Sequence, residues 1–224
     1  MAKKGVCTSY WPHSSKPNQV RTKNRGYLQV ISIDPGTVNF AFLIERRYPR
    51  IVKTVVLELW NLGTNTQENN RVFATLLSRF SEHTELIKET DIVIVERQLK
   101  VNYKATGIAR SAIMLLHVLL KDTPRYPTIY EIPASLKGRI LGFHKGTDHN
   151  LKKWAIRQAK QILTERQDDE TIAIVERRKK RDDLSDVICQ SEAFFIWKKI
   201  IIRPVKIRLV INRNELRSHS SQRL

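Results

Sequence analysis

The 224-residue sequence has little cysteine: Cys7 and Cys189 are its two cysteines, and they lie far apart in different contexts. There is no Cys-x-x-Cys pair and no cysteine–histidine spacing of the kind that binds zinc. These absences argue against a disulfide framework and a zinc site, and they predict an intracellular protein. Cys189 lies within an apolar helical pattern and is expected to be a small buried residue.

Long apolar runs are also missing. None approaches the roughly 20 residues that a membrane-spanning helix needs. The basic N-terminus is not followed by an apolar core, so the pattern is not that of a secretory signal. We therefore expect no membrane as a partner and no export.

Acidic residues are scarce, with 22 Asp and Glu against 40 Lys and Arg and a formal net charge of +18. Such an excess indicates a polyanionic partner, because neutralising phosphates releases condensed counterions. Nucleic acid is the expected partner, and a membrane surface is the minor alternative. The charge is also compatible with a soluble basic protein that has no polyanionic partner. No acid occurs in residues 1–26, and Glu215 is the single acid of residues 203–224.

Three parts of the chain follow from this distribution. Residues 1–26 are predicted to form a flexible basic arm, which either contacts DNA or only adds solubility. Residues 27–200 have the patterns of a folded domain, and residues 201–224 form a basic tail in which 205–211 alternates weakly, as an edge strand would. With 41% hydrophobic residues, one domain with its own core is expected.

Hydrophobic periodicity predicts an α/β fold with a mixed sheet flanked by helices. Strands are expected at residues 28–33, 40–45, 51–60, 91–96 and 128–132, the first three forming an antiparallel meander. Helices are expected at residues 67–87, 105–121, 150–166 and 183–200. The unalternating apolar run at 91–95 is typical of a central strand covered on both faces. The highly charged segment 167–181 is predicted to lack regular structure.

Acidic residues occur at three places where a charged carboxylate at the edge of the apolar core costs free energy. Asp34 ends the first strand, Glu96 ends the most apolar strand, and residues 182, 183 and 186, all Asp, begin the last helix. A charge at the edge of a core costs several kcal/mol unless it is paired or bound to a metal. Clustered carboxylates can hold two divalent cations about 3.5–4 Å apart for phosphodiester hydrolysis, and Mg²⁺ prefers such oxygen ligands. The pattern therefore indicates a metal-dependent nuclease.

Each acid also has an ordinary explanation. Asp34 with Pro35 and Gly36 forms a good turn whatever the chemistry. Glu96 can simply leave its strand into solvent, and an Asp at the start of a helix can cap it. Asp183 and Asp186 share a helix face at i, i+3, but Asp182 and Asp186 share one at i, i+4, so the spacing does not choose between Asp182 and Asp183.

Five segments together resemble the RuvC-like Holliday junction resolvases, in the form found in poxviruses and other large DNA viruses, with mitochondrial resolvases close behind. The resemblance covers about residues 27–199. Its segments are Ile31–Thr37 with Asp34, Ile92–Gln98 with Glu96, the Pro-x-x-x-Lys of Pro133 and Lys137, the connection from Lys145 to Lys152 and Lys153, and residues 179–186 with Asp183 and Asp186. The sequence departs from bacterial members at Asp182, where they have a small residue, and in the charged segment 167–181.

The resemblance implies an RNase H-like fold with a mixed five-stranded sheet, and a homodimer that nicks two opposed strands of a four-way junction. The implied catalytic residues are Asp34, Glu96, Lys137, Asp183 and Asp186; the four acids would bind two Mg²⁺ ions, for which Mn²⁺ can substitute. No small-molecule cofactor is implied. Lys137 can orient the nucleophile or neutralise the phosphate, or it can be one more phosphate-binding lysine. The residues expected to contact the DNA backbone are Lys145, Lys152, Lys153, Arg177, Arg178, Lys179 and Lys180.

The sequence thus predicts a structure-selective endonuclease that resolves Holliday junctions. The alternatives are another RNase H-like nuclease, acting on RNA–DNA hybrids or on flap or branched DNA, and a non-catalytic architectural DNA-binding protein. Tyr103 can stack on an unpaired base or be a surface aromatic. The helix at 105–121 can form the dimer face or only cover the sheet. A viral protein of this kind would work in the viral replication compartment or in the host cytoplasm or nucleus.

Overall fold

The computed structural model of the chain describes residues 8–9, 25–63, 69–99, 101–124, 126–144, 148 and 150–202. Its strands, numbered along the chain, are β1 (Thr8–Ser9), β2 (Leu28–Asp34), β3 (Phe40–Arg47), β4 (Val52–Trp60), β5 (Ile92–Arg97) and β6 (Thr128–Pro133). They form one sheet in the order β1-β6-β5-β2-β3-β4. Strands β2, β3 and β4 make the expected antiparallel meander, whereas β5 runs parallel to both β2 and β6.

The mixed five-stranded sheet predicted from the sequence is confirmed as β2 to β6. The two-residue β1 adds to its edge by pairing antiparallel with β6. That short strand comes from the segment predicted to be a basic arm. Apart from residues 8–9 and 25–26, the arm lies outside the described residues, as do Lys145, the predicted edge strand at 205–211 and the rest of residues 203–224.

Seven helices in the described ranges cover the sheet: α1 (Asn69–Glu82), α2 (Thr84–Lys88), α3 (Tyr103–Leu120), α4 (Ser135–Leu141), α5 (Leu151–Glu165), α6 (Asp169–Glu176) and α7 (Arg181–Lys198). Helices α1 to α3 pack on one face, where Phe42, Phe80 and Leu116 belong to one buried cluster. Helices α4 to α7 pack on the other face. None of the helices described is long and apolar enough to cross a bilayer.

The prediction that residues 167–181 lack regular structure is wrong, because α6 lies within them. The side chain of Asp168 accepts a hydrogen bond from the backbone N–H of Thr171 and so caps the helix. Thr171 and Val175, one turn apart, are buried, so one side of the helix packs against the domain although the segment carries many charges.

Two further differences are local. The predicted helix at 67–87 is divided at His83, whose ring stacks on Trp60 and whose Nε2 lies 3.2 Å from Glu58. The helix α4 was not expected from the sequence, where residues 135–141 were part of a connection. It carries Lys137, one of the site residues predicted from the sequence.

Candidate active site

Two of the acidic residues lie side by side at one edge of the sheet. Strands β2 and β5 are parallel neighbours, and the pairing of Ile33 with Val95 places Asp34 and Glu96 at the same level, one residue further along each strand. After Asp34 the chain turns tightly. A Cβ on Gly36 would meet the carbonyl oxygen of Asn39 closer than real Cβ atoms come, so the turn needs glycine there.

Lys137 joins this edge to α7. Helix α4 begins directly after β6, whose Ile132 pairs with Glu96. The Lys137 Nζ lies 3.1 Å from Glu96 Oε2 and 2.9 Å from Asp186 Oδ1. Because one nitrogen contacts both oxygens, these two oxygens are no more than about 6 Å apart, and a single positive charge between them acts on both carboxylates.

Helix α7 brings in the other acids and separates Asp182 from Asp183. Asp183 lines a cleft of about 490 Å³ together with Asp34. Asp182 instead accepts a hydrogen bond of 2.6 Å from Lys152 Nζ. Burial would raise the pKa of Asp182, but the Lys152 hydrogen bond and nearby positive charges leave it lowered. The structure therefore brings Asp34, Glu96, Asp183 and Asp186 together and engages Asp182 elsewhere.

The pKa values of the four clustered carboxyl groups are all raised. Burial is the largest cause at each of them. For Asp34 the charge of Glu96 adds to burial and lifts the pKa well above its ordinary value. Burial lowers the pKa of Lys137, but the charges of Glu96 and Asp186 outweigh it and raise the pKa, so this lysine keeps its proton. One ammonium thus does not compensate four carboxylates, and the centre favours additional positive charge.

The donor set fits Mg²⁺ or Mn²⁺, since it consists of carboxylate oxygens. In addition, Asp183 Oδ2 is buried and has no hydrogen-bond partner among the described residues, which is a costly state that a cation would relieve. Within the same residues, however, no group of three or more acidic, His or Cys side chains is already arranged to hold a metal ion. The contacts of Lys137 give a physical reason, because its ammonium lies between Glu96 and Asp186.

A buried polar network lies directly beneath the carboxylates. Gln190 Nε2 donates to Ser32 Oγ at 3.0 Å, to the carbonyl of Ile33 at 3.1 Å and to that of Ile94 at 3.4 Å. Ser32 Oγ in turn donates to the carbonyl of Val187 at 3.0 Å. The network therefore links α7 to the two strands just before Asp34 and Glu96. Sequence reasoning missed it, although Gln190 is a polar residue in an apolar helical pattern, one turn after Asp186.

The mouth of the cleft carries Tyr103, whose exposure is 73%. It stands at the first position of α3, where Asn102 caps the helix by accepting from the N–H of Ala105. Nearby, Gln98 Nε2 lies 3.5 Å from Asp34 Oδ1. Tyr103 is thus an exposed residue that lines the cleft, and its stacking on an unpaired base stays a prediction.

The positive residues predicted to contact DNA adjoin the carboxylates. We call them the basic rim: Lys152, Lys153, Arg177, Arg178, Lys179 and Lys180. All six are exposed. The Lys152–Asp182 pair ties the start of α5 to the start of α7, and the charge of Lys180 acts on the pKa of Asp183. The basic rim thus begins where the carboxylate cluster ends, a suitable arrangement for a phosphate backbone.

No family model matches the chain. Two curated viral proteins are similar to it in sequence. Uncharacterized protein 170L of Invertebrate iridescent virus 6 is 24% identical over 217 residues, covering 75% of this chain and 88% of that protein. Uncharacterized protein 97L of Invertebrate iridescent virus 3 is 28% identical over 151 residues, covering 65% and 69%.

Solved structures give the clearer comparison. RuvC of Thermus thermophilus has a TM-score of 0.53 and 15% identity, covering 80% of this chain and 100% of its own. The yeast mitochondrial Holliday junction resolvase Ydc2 has a TM-score of 0.54 and 15% identity, covering 77% and 81%. T. thermophilus RuvC in complex with a Holliday junction substrate gives 0.51, with 11% identity. The resemblance read from the sequence is thereby confirmed for the fold: the chain has the RNase H-like fold of the RuvC-type resolvase structures.

Proposed function

We propose that this protein is a divalent-metal-dependent endonuclease that resolves four-way DNA junctions by paired symmetric nicks. The observation that carries the proposal is the convergence of Asp34, Glu96, Asp183 and Asp186 at one edge of the sheet, from segments distant in sequence. Their raised pKa values mean that the cluster holds its charge at a cost, which bound cations would offset. A purely architectural protein has no use for such a cluster.

The roles of the residues follow from their positions. Asp34 and Asp183 line the cleft and would ligate cations there, with Gln98 beside Asp34. Glu96 and Asp186 would complete the ligand set from the adjoining strand and helix. When bound, divalent cations supply the Lewis acidity that activates a water molecule and stabilises the leaving 3′ oxygen. Lys137 orients Glu96 and Asp186 and adds a fixed positive charge next to the scissile phosphate.

Branched DNA as substrate is supported by charge and by fold. The basic rim offers a run of positive side chains that suits the phosphate backbone better than base edges. The similar solved structures include a RuvC bound to a Holliday junction substrate. The similarity to two viral proteins supports a viral source; the compartment stays a prediction.

Paired nicks require two active sites, and we propose a homodimer. A candidate contact surface is the apolar face of α1 and α3, where Phe73, Leu77, Met114 and Val118 are exposed. This surface lies on the face of the sheet opposite α5 to α7. A dimer formed through it would therefore leave both basic rims open to DNA.

The test is a cleavage assay on a four-way junction with each strand labelled in turn, compared with an RNA–DNA hybrid and a linear duplex. With Mg²⁺ we expect nicks at symmetry-related positions of two opposed strands, giving products that a ligase can seal. Preferential cutting of the hybrid would instead identify another RNase H-like nuclease.

Neighbouring acids provide a matched pair of variants for this assay. Asp183→Asn should lower junction cleavage at least about 100-fold, the scale on which active-site electrostatic groups act. Asp182→Asn changes the same charge one position away, on a side chain that contacts Lys152, and should keep most of the activity. Undiminished cleavage by Glu96→Gln would show that the cleavage does not come from the carboxylate cluster, and an architectural role would then remain for this protein.

A further inference from the structure

The carboxylate cluster is divided by its contacts into two unlike halves. Glu96 and Asp186 each give an oxygen to the Lys137 ammonium, at 3.1 and 2.9 Å. Asp34 and Asp183 line the cleft. In the part of the chain that the structure describes, no lysine or arginine forms an ion pair with either of them. One half is thus in direct contact with a protein cation, whereas protein cations act on the other half only without an ion pair.

Lys137 is held in place by its surroundings. Its side chain is only 6% exposed, and Leu136 and Gly138 on either side of it are buried. Leu136 belongs to the apolar cluster that joins α4 to the sheet and to α7. At Gly138 an added Cβ would lie 3.2 Å from the Cβ of Phe143, so the helix also fits closely there. The ammonium position is therefore a property of the fold and not of a mobile surface chain.

We propose that the Lys137 ammonium takes the place of one of the two divalent cations in the DNA-free protein, so that only the Asp34–Asp183 half binds an ion. This inference rests on the proposed function, which makes the four carboxylates cation ligands. It follows from two physical facts. A cation between Glu96 and Asp186 would meet a positive charge at close range, and it would have to displace the hydrogen bonds those oxygens already accept. Asp183 Oδ2, by contrast, is buried and without a partner among the described residues.

Counting bound Mn²⁺ per chain in the absence of DNA tests this. Calorimetric titration gives the number of sites, and electron paramagnetic resonance distinguishes an isolated Mn²⁺ from two spin-coupled ions. We expect one ion in the wild type. Lys137→Met removes the ammonium while keeping an unbranched side chain of similar length, and we expect it to bind two ions at the same free Mn²⁺ concentration and to show spin coupling. Lys137→Gln should do the same.

Lys152→Met is the matched control. It also removes a lysine that pairs with an Asp of α7, but that Asp is Asp182, so one ion is expected, as in the wild type. Two ions in the wild type, or one ion in a folded Lys137→Met or Lys137→Gln protein, would overturn the inference. If Lys137 variants do not fold, the wild-type count still decides. Absence of Mn²⁺ binding in the wild type, or binding that Asp34→Asn leaves unchanged, would instead refute the cation site of the proposed function.

Discussion

The buried amide of Gln190 gives the sharpest test of how the active site is held together. Replacing it by Leu keeps a similar volume but removes a donor that serves Ser32 Oγ and two strand carbonyls. Each such bond contributes about 0.5–1.5 kcal/mol net. With two bonds of normal length and one at 3.4 Å, we expect Gln190→Leu to lower the free energy of unfolding by about 2 kcal/mol.

The same variant should weaken cation binding by more than its effect on stability explains. The lost bonds connect α7 to the residues just before Asp34 and Glu96, so their loss lets the helix carboxylates move relative to the strand carboxylates. Groups that orient metal ligands from outside the ligand set typically change metal affinity 10–100-fold. We expect at least about a 10-fold rise in the dissociation constant for Mn²⁺.

Urea unfolding and calorimetric Mn²⁺ titration measure the two effects separately. Ile188→Ala serves as the control, because Ile188 is a buried residue of the same helix that packs in an apolar cluster. Its loss should cost about 2–5 kcal/mol with little change in Mn²⁺ affinity. The positioning role is refuted if Gln190→Leu binds Mn²⁺ as tightly as the wild type, or if Ile188→Ala loses as much affinity.

Three further outcomes are expected. Burial raises the pKa of Glu45, but the charges of Arg47 and Arg166 outweigh burial and lower this pKa to about 2. The ionised Glu45 therefore stabilises the fold at pH values above its ordinary pKa of about 4.5. This stability, roughly 3 kcal/mol, is lost as the pH falls from about 4.5 to about 2. Acid unfolding of Glu45→Gln should lack this loss. Burial raises the pKa of Asp34, so its charge destabilises the metal-free fold at neutral pH. In EDTA, Asp34→Asn should be more stable than the wild type by about 0.5–2 kcal/mol, and its melting temperature should respond less to Mg²⁺; lower stability in EDTA would contradict this. Replacing Arg177 and Arg178 by Gln should weaken DNA binding for every junction sequence and reduce the slope of log affinity against log salt by about 2; an unchanged slope would remove them from the interface.

The positions of Asp34 and Glu96 could be predicted from the sequence because each follows a strand of recognisable apolar pattern. Strand ends are the points at which a folded sheet presents side chains. That the two strands are parallel neighbours is a finding of the structure, which brings the two carboxylates to the same edge. Local sequence patterns were sufficient here because each strand and the acidic residue at its end are adjacent in the sequence.

Other features depend on contacts between distant segments. Spacing on a helix left Asp182 and Asp183 equivalent, and the distinction comes from Lys152, 30 residues earlier, which binds Asp182. The resemblance pointed to Lys137, but not to its position between Glu96 and Asp186, because that requires α4, a helix too short to leave a clear periodic signal. The Gln190 network likewise has partners on two strands, which no pattern within α7 can indicate.

Anomalous diffraction from crystals of the protein grown with Mn²⁺ tests the shared cation centre most directly. We expect a Mn²⁺ peak within about 2.5 Å of carboxylate oxygens of Asp34 and Asp183, which disappears in Asp34→Asn. A map in which Mn²⁺ binds only elsewhere, with these two carboxylates free of metal, would contradict the account.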